Sequence, residues 1–456
     1  MTNHVTIVGA GPAGSMLSIL LARQGLSVSM YESRPDMRTT DIGAGRSINL
    51  ALATRGIEAL AEVGVMSEVE RILIPMMGRL IHDETGRTSM QPYGSRPHEY
   101  INSVSRTALT SILLDAAEAT GQVDIHFDMR CRGVDFDGGT LRFIDSTSGD
   151  ESRVPFTTIF GTDGSASPVR EALLEVNGGN VDIEPLTHGY KELTMPADSK
   201  GGFQIEKEAL HIWPRRDFML IALPDLVGTF TVTLFLANEG PIDSFEHLTS
   251  DGEVLGFFEK HFADFAPLVP DLANQFTDHP HGRLATVRTT GWAHADRAVV
   301  LGDASHGVVP FHGQGMNAAF ESCIVLDGCM RNNPNDWATA FAKFEQDRKP
   351  DTDAIADMAV ANYVEMSSSV VDEHYQLKRA VALELDHLWP EQFTPRYAMV
   401  MFNTIPYAEV QRRAILQGEV LDRLTEGLTD IDEVDWVTAE EMVVGLDFNQ
   451  VSKKGA

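Results

Sequence analysis

Val5-Thr6-Ile7-Val8-Gly9-Ala10-Gly11-Pro12-Ala13-Gly14 decides how the rest of the chain is read. The apolar run 5–8 predicts a short buried strand, and residues 15–24 predict a helix. Between them lies a GxGxxG turn. In such a turn one glycine permits the tight bend, one lets the backbone approach a pyrophosphate, and one lets the helix pack closely on the strand. The phosphate then sits at the positive end of the helix dipole. A second strand is expected over 27–31 and ends in Glu32, where an acid can accept hydrogen bonds from a ribose hydroxyl. Strand, turn, helix, strand and acid in this order read as a dinucleotide site built on Gly9, Gly11, Gly14 and Glu32.

Composition narrows the partners. Lys and Arg number 36 against 66 Asp and Glu, a formal net charge of −30 over 456 residues. That balance argues against nucleic acid, which needs clustered cations. Any anionic ligand must meet a local positive site. Three cysteines, Cys131, Cys323 and Cys329, have neither a disulfide framework nor metal-ligand spacing, so no metal is expected and a reducing cytoplasm fits best. No apolar run is long enough for a membrane span. A signal peptide is not expected either, because the run 5–22 lacks a basic leader and is broken by glycines.

Further along, residues 157–161 predict a strand running into Thr162-Asp163-Gly164. Residues 298–301 predict another, followed by Gly302-Asp303. Pro310-Phe311-His312-Gly313-Gln314-Gly315-Met316-Asn317 then opens a helix. Ser105 reads as the N-cap of a helix over 107–120, placing Arg106 in a first turn where the dipole disfavours a cation. An arginine there serves a ligand or is a solvated surface residue. The GxGxxG, DG and GD-plus-GQGMN segments, in this order, resemble the FAD-dependent aromatic hydroxylase superfamily. The resemblance implies that Asp303 holds the ribityl chain and that Gly315, Met316 and Asn317 lie beside the flavin ring. It also implies that Arg34, Ala53 and Arg106 complete the FAD contacts.

Other segments are similar to one family, kynurenine 3-monooxygenase, especially its bacterial members. They are Gly45-Arg46-Ser47-Ile48-Asn49-Leu50-Ala51-Leu52-Ala53, Gln91-Pro92-Tyr93-Gly94, His188-Gly189-Tyr190-Lys191-Glu192-Leu193 and Leu210-His211-Ile212-Trp213-Pro214. Pro310 to Asn317, Asn362-Tyr363-Val364-Glu365-Met366-Ser367 and Pro395-Arg396-Tyr397 continue the match. Departures fall mainly in the last stretch of about 60 residues. The apolar C-terminal anchor of eukaryotic members is absent, so no membrane attachment is expected.

The candidate substrate residues have a reading of their own. Arg79 and Tyr93 are symmetric about Gly86 in the turn Glu84-Thr85-Gly86-Arg87, which sets them opposite each other across a hairpin. An Arg fork and a Tyr hydroxyl would clamp a carboxylate, although such a pair is also a common stacked surface pair. Asn362 and Glu365 share a face of a helix expected over 351–367, where a solvated face is the alternative. Met219, Ile221 and Leu223 alternate on one side of a strand, which core packing explains equally well. The resemblance assigns Arg79, Tyr93, Asn362 and Tyr397 to polar substrate contacts, with Glu365 beside them. It assigns Leu210, Met219, Ile221, Leu223, Phe235 and Phe311 to the wall around the ring. His312 is the one histidine singled out for a possible catalytic part, ordering water or the flavin locus; packing is the alternative.

The expected fold is α/β: a discontinuous Rossmann-like FAD-binding domain (1–70, 98–180, 284–350), a β-sheet substrate domain (71–97, 181–283) and a helical C-terminal region (351–456). The resemblance implies hydroxylation of L-kynurenine to 3-hydroxykynurenine with FAD, NADPH and O2. The alternatives are a flavin hydroxylase of a substituted kynurenine or another aromatic acid, or a non-hydroxylating flavoprotein. Oligomeric state is not legible.

Overall fold

His4–Val8 pairs in parallel with Ser27–Tyr31 on one side and Ile159–Gly161 on the other. Parallel sheets are covered on both faces, and Val5, Ile7 and Val8 are accordingly buried. Each such side chain contributes about 1.5–3 kcal/mol of burial. The computed structural model describes residues 3–40, 49–446 and 448. Among them the sheet runs in the order Ala293–His294, Ala298–Val300, Ile159–Gly161, His4–Val8, Ser27–Tyr31, Val123–His126. The helix after the glycine turn starts earlier than its apolar period indicates, at Pro12. Proline at a first helical position lacks only an amide that would have no partner there anyway.

The chain divides into two units, the first comprising Met1–Leu73, Val104–Leu186 and Leu284–Ala356. It holds this sheet and a three-stranded meander, Met129–Asp135, Thr140–Asp145 and Glu151–Pro155. The second unit comprises Ile74–Ser103, Thr187–Arg283 and Asp357–Ala456. Its framework is a sheet ordered His281–Thr289, Val181–Met195, Phe230–Ala237, Phe218–Pro224, Leu210–Arg215, Gly78–His82, Thr88–Pro92. Its C-terminal helices, Glu373–Leu388, Tyr407–Leu424 and Trp436–Val444, enclose a separate small core around Val381, Leu385 and Phe393. The fold is thus α/β, with a Rossmann-like part, a β-sheet part and a helical C-terminal region.

Two expectations need correction. The hairpin register pairs Arg79 with Gln91, not with Tyr93, because the strands close one residue earlier. Tyr93 donates its amide to the Met77 carbonyl instead, which leaves its side chain diagonal to Arg79 on the same face. The helix carrying Asn362 and Glu365 is longer than read, Trp337–Ser367, and continues through Pro350. Of the segment 45–53, residues 45–48 lie outside the described residues. Among the described residues no helix is long and apolar enough to cross a membrane.

Candidate functional site

In the first unit, Gly9 adopts φ +100, and a Cβ there would meet the Thr162 carbonyl oxygen at 2.5 Å. A Cβ on Gly14 would overlap the Gly9 carbonyl, so helix and turn touch backbone to backbone. Gly11 differs: its Cβ would meet nothing within 4 Å. It precedes Pro12–Arg23, whose start has no side-chain cap. Uncapped amides facing open space are what a pyrophosphate requires. Glu32 borders the same turn. Its Oε2 accepts the Ala10 amide at 2.9 Å, and its Oε1 accepts the Arg34 amide at 3.0 Å and Arg34 Nε at 2.9 Å. Burial opposes charge on Glu32, but Arg34 and the amides outweigh it and hold the carboxyl below its usual value.

Asp303 opens the short helix Asp303–His306 after Gly302 at φ +63. It is open to solvent, yet surrounding protein pushes its carboxyl up while Arg106 pulls it down. Ser105 caps Arg106–Ala119 by accepting the Ala108 amide at 3.3 Å, so Arg106 occupies the first turn as read. Arg170, not singled out from sequence, ties the DG loop to the GD segment. It donates to the Ser165 carbonyl at 2.7 Å and the Ala304 carbonyl at 3.1 Å.

Gly315 begins Gly315–Asn332, again without a side-chain cap. Met316 packs on the core, and Phe311 and His312 are buried in the turn Pro310–His312. His306 is neutral packing: burial drives it to about 3, and its Nε2 meets Ser322 Oγ at 3.0 Å. The Asn317 side chain faces backbone. Its Oδ1 accepts the Ala53 amide at 3.0 Å, and its Nδ2 donates to the Ala51 and Gly313 carbonyls at 2.9 and 2.8 Å. Asn317→Ala is expected to leave these buried groups without partners, at about 1–3 kcal/mol each. Urea unfolding of the flavin-free protein should show the loss; an unchanged midpoint would mean the clamp contributes nothing.

In the second unit the polar residues converge. Arg79 is buried and donates from Nη1 to Glu365 Oε1 at 2.9 Å. Arg396 Nη2 reaches Glu365 Oε2 at 2.8 Å, and Tyr375 also bonds to that carboxylate. The Arg79 guanidinium lies 4.7 Å from the Tyr397 ring centre and 6.0 Å from that of Tyr93, and the two rings stack at 5.2 Å. Arg79 Nε has no hydrogen-bond partner among the described residues. Arg379 donates to the Pro92 carbonyl and is close enough for Arg79 to lower its pKa, after burial. Asn362 is buried one helical turn from Met366, whose sulfur it meets at 3.2 Å. Sequence reasoning missed Tyr375, Arg379 and Arg396. Tyr375 and Arg379 are four apart on Glu373–Leu388, a spacing indistinguishable from a solvated helix face.

Three guanidiniums around one carboxylate leave a cationic excess, in a chain of net charge −30. Burial disfavours the charged Glu365, but Arg79 and Arg396 outweigh it and hold the carboxyl at about 2. Against an ordinary value of 4.5 this contributes on the order of 3 kcal/mol to stability. Because the folded value is depressed, that contribution is complete above the unfolded value and fades as pH falls toward about 2. Urea midpoints across acid pH should therefore fall more steeply for wild type than for Glu365→Gln. Parallel curves would contradict the assignment.

Sheet register settles which way the apolar residues face. Arg79 pairs with Leu210, Ile212 with Ile221, and Met219 with Phe235, so all stand on one face with Leu223. The other face carries Trp213, Phe218, Leu220 and Leu234, which pack with Phe258, Phe262 and Phe265 in the unit's core. Leu210, Met219, Ile221, Leu223 and Phe235 therefore share the Arg79 side and not that core.

A family model described as an FAD binding domain matches residues 2–187. Over 439 residues the chain is 46% identical to the kynurenine 3-monooxygenase of Myxococcus xanthus, covering 96% of this chain and 94% of that one. Identity to the Stenotrophomonas maltophilia kynurenine 3-monooxygenase is 44% over 442 residues, 97% of this chain and 96% of the other. The chain belongs to the kynurenine 3-monooxygenase family. Solved structures agree on the fold. The tetrameric form of 2-methyl-3-hydroxypyridine-5-carboxylic acid oxygenase has a TM-score of 0.65 at 18% identity, covering 83% of this chain and 95% of that one. PqsL of Pseudomonas aeruginosa has a TM-score of 0.60 at 21% identity, covering 80% and 97%. FAD is the cofactor of this family, and the open approach at Gly11 with the uncapped helix start is compatible with such a group.

Proposed function

We propose that the chain hydroxylates L-kynurenine at ring position 3. One L-kynurenine, one NADPH, one proton and one O2 give 3-hydroxykynurenine, NADP+ and water. The observation that carries the substrate reading is the buried Arg79 beside Tyr93 and Tyr397, with Arg379 and Arg396 adding positive charge around Glu365. An Arg fork pairs bidentately with a carboxylate, and the arginine excess compensates the acidic chain locally. Bound FAD supplies the redox chemistry, accepting hydride from NADPH and activating oxygen.

The residues divide by task. Gly9, Gly11, Gly14, Glu32, Arg34, Ala53, Arg106, Asp303, Gly315, Met316 and Asn317 hold FAD in the first unit, Asn317 by fixing the backbone at Ala51, Ala53 and Gly313. Arg79, Tyr93, Asn362 and Tyr397 take the amino-acid end of kynurenine in the second. Glu365, held by two arginines, orders that cluster. Leu210, Met219, Ile221, Leu223 and Phe235 supply an apolar face for the ring, and Phe311 belongs with the ring contacts. An aniline ring is electron-rich enough that no strong side-chain base is needed, and His312 orders its own locus. The three cysteines are free and buried, in keeping with a reducing cytoplasm.

The test is NADPH oxidation by purified, FAD-loaded protein against a panel of aromatic acids. L-Kynurenine should accelerate it more than the other acids do. A rate indifferent to kynurenine would instead describe a flavoprotein that carries electrons without hydroxylating.

A further inference from the structure

Three segments of the first unit carry FAD contacts in the reading above, and they are far apart in sequence. Ala53 precedes the helix Thr54–Glu62, Asp303 heads Asp303–His306, and Gly315, Met316 and Asn317 head Gly315–Asn332. One buried polar cluster joins all three. Glu321, in the second turn of Gly315–Asn332, stands between two arginines. Arg55 Nη1 is 2.6 Å from its Oε1, and Arg348 Nη1 is 2.9 Å from its Oε2. Both arginines are buried. Arg55 is the second residue of Thr54–Glu62, and Arg348 stands on Trp337–Ser367. Arg348 also donates from Nη2 to the Ala318 carbonyl at 3.3 Å and from Nε to Ser322 Oγ at 3.4 Å. Ser322, itself buried, donates to the Ala318 carbonyl at 2.9 Å, and its Oγ lies 3.0 Å from His306 Nε2. The cluster thus reaches the helix after Ala53, the short helix that Asp303 opens, and the first two turns of Gly315–Asn332.

We propose that Arg348 is a positioning residue for the flavin: through Glu321, Ala318 and Ser322 it sets where the first turn of Gly315–Asn332 stands relative to Ala53 and Asp303. This rests on the reading that those segments hold FAD. Replacing a buried ion pair by well-packed apolar side chains is often neutral for stability. What a guanidinium fork supplies is a fixed geometry, because its planar donors accept partners only in set directions. Asn317 anchors the helix start to the Ala51 and Gly313 carbonyls and the Ala53 amide. One anchor leaves the helix free to tilt about it. Arg348, acting on the next residue and the next turn from a different helix, removes that freedom. The uncapped amides of the first turn favour negative charge on a reduced flavin only while they are aimed at it.

The experiment measures FAD affinity and the visible spectrum of the bound flavin in the full-length protein and in Arg348→Met, which keeps side-chain bulk without the fork. The dissociation constant for FAD should rise about tenfold or more. The absorption bands of the bound flavin should change shape, and its reduction potential should fall as the amides lose their aim. Arg348→Lys should restore part of each, since an ammonium can meet Glu321 but not Ala318 and Ser322 as well. Leu326→Ala, a buried truncation further along the same helix, separates positioning from stability. It should lower the urea midpoint while keeping wild-type FAD affinity and spectrum. Wild-type affinity and spectrum in Arg348→Met, or equal changes in Leu326→Ala, would overturn the proposal. If Arg348→Met does not fold, Glu321→Gln, which removes both ion pairs and keeps the side-chain shape, is read by the same criteria. Failure of the underlying FAD reading looks different, because Asn317→Ala would then leave the flavin spectrum unchanged too.

Discussion

Arg79→Ala is expected to weaken kynurenine binding by about 10- to 150-fold, the equivalent of roughly 1.5–3 kcal/mol for a lost charge-assisted contact. Flavin should remain bound, because no residue of the FAD cradle is touched. With the amino-acid end unheld, the ring is misplaced and a larger share of the NADPH consumed should end as hydrogen peroxide. Arg79→Lys should rescue only in part, since an ammonium is a point charge and cannot reproduce the fork. Removing Arg79 also breaks one of the two direct ion pairs of the half-buried Glu365 carboxylate, so binding must be separated from destabilisation. A kynurenine analogue lacking the carboxylate does that. It should bind wild type poorly and discriminate little between wild type and Arg79→Ala. Equal losses for both ligands, measured by flavin fluorescence, would show that Arg79 does not touch the carboxylate.

Gly11→Val should yield a folded protein that purifies with little or no flavin. The added side chain meets nothing within 4 Å in the chain itself, and Gly11 is in extended backbone, so the flavin-free fold loses little. The branched side chain occupies the space through which a pyrophosphate must approach. Gly9 provides the contrast. At φ +100, with the Thr162 carbonyl 2.5 Å from any Cβ, even alanine strains the backbone and should lower thermal stability. A Gly11→Val protein that keeps full flavin through gel filtration would refute the phosphate assignment.

These two sites were legible to different depths. The flavin cradle could be read because a strand, a glycine turn and a helix are adjacent in sequence, and local spacing carries their geometry. Arg79 and Tyr93 were read as opposed and are in fact diagonal, since the loop closes two residues shorter than symmetry about Gly86 implies and Gln91 takes the place opposite Arg79. Alternation at Met219, Ile221 and Leu223 showed that they share a face but not which one. That needed the phenylalanines of a helix some forty residues away in sequence, packed on the other side. Arg396, Tyr375 and Arg379 join the cluster only through tertiary packing, and their helical spacing resembles that of any solvated face.

The most direct test of the central claim is product analysis by mass spectrometry with purified protein, FAD, NADPH, L-kynurenine and isotopically heavy O2. The account predicts 3-hydroxykynurenine bearing one heavy oxygen atom, formed in step with kynurenine-stimulated NADPH consumption. Unchanged kynurenine, with the NADPH consumed recovered as hydrogen peroxide, would contradict it.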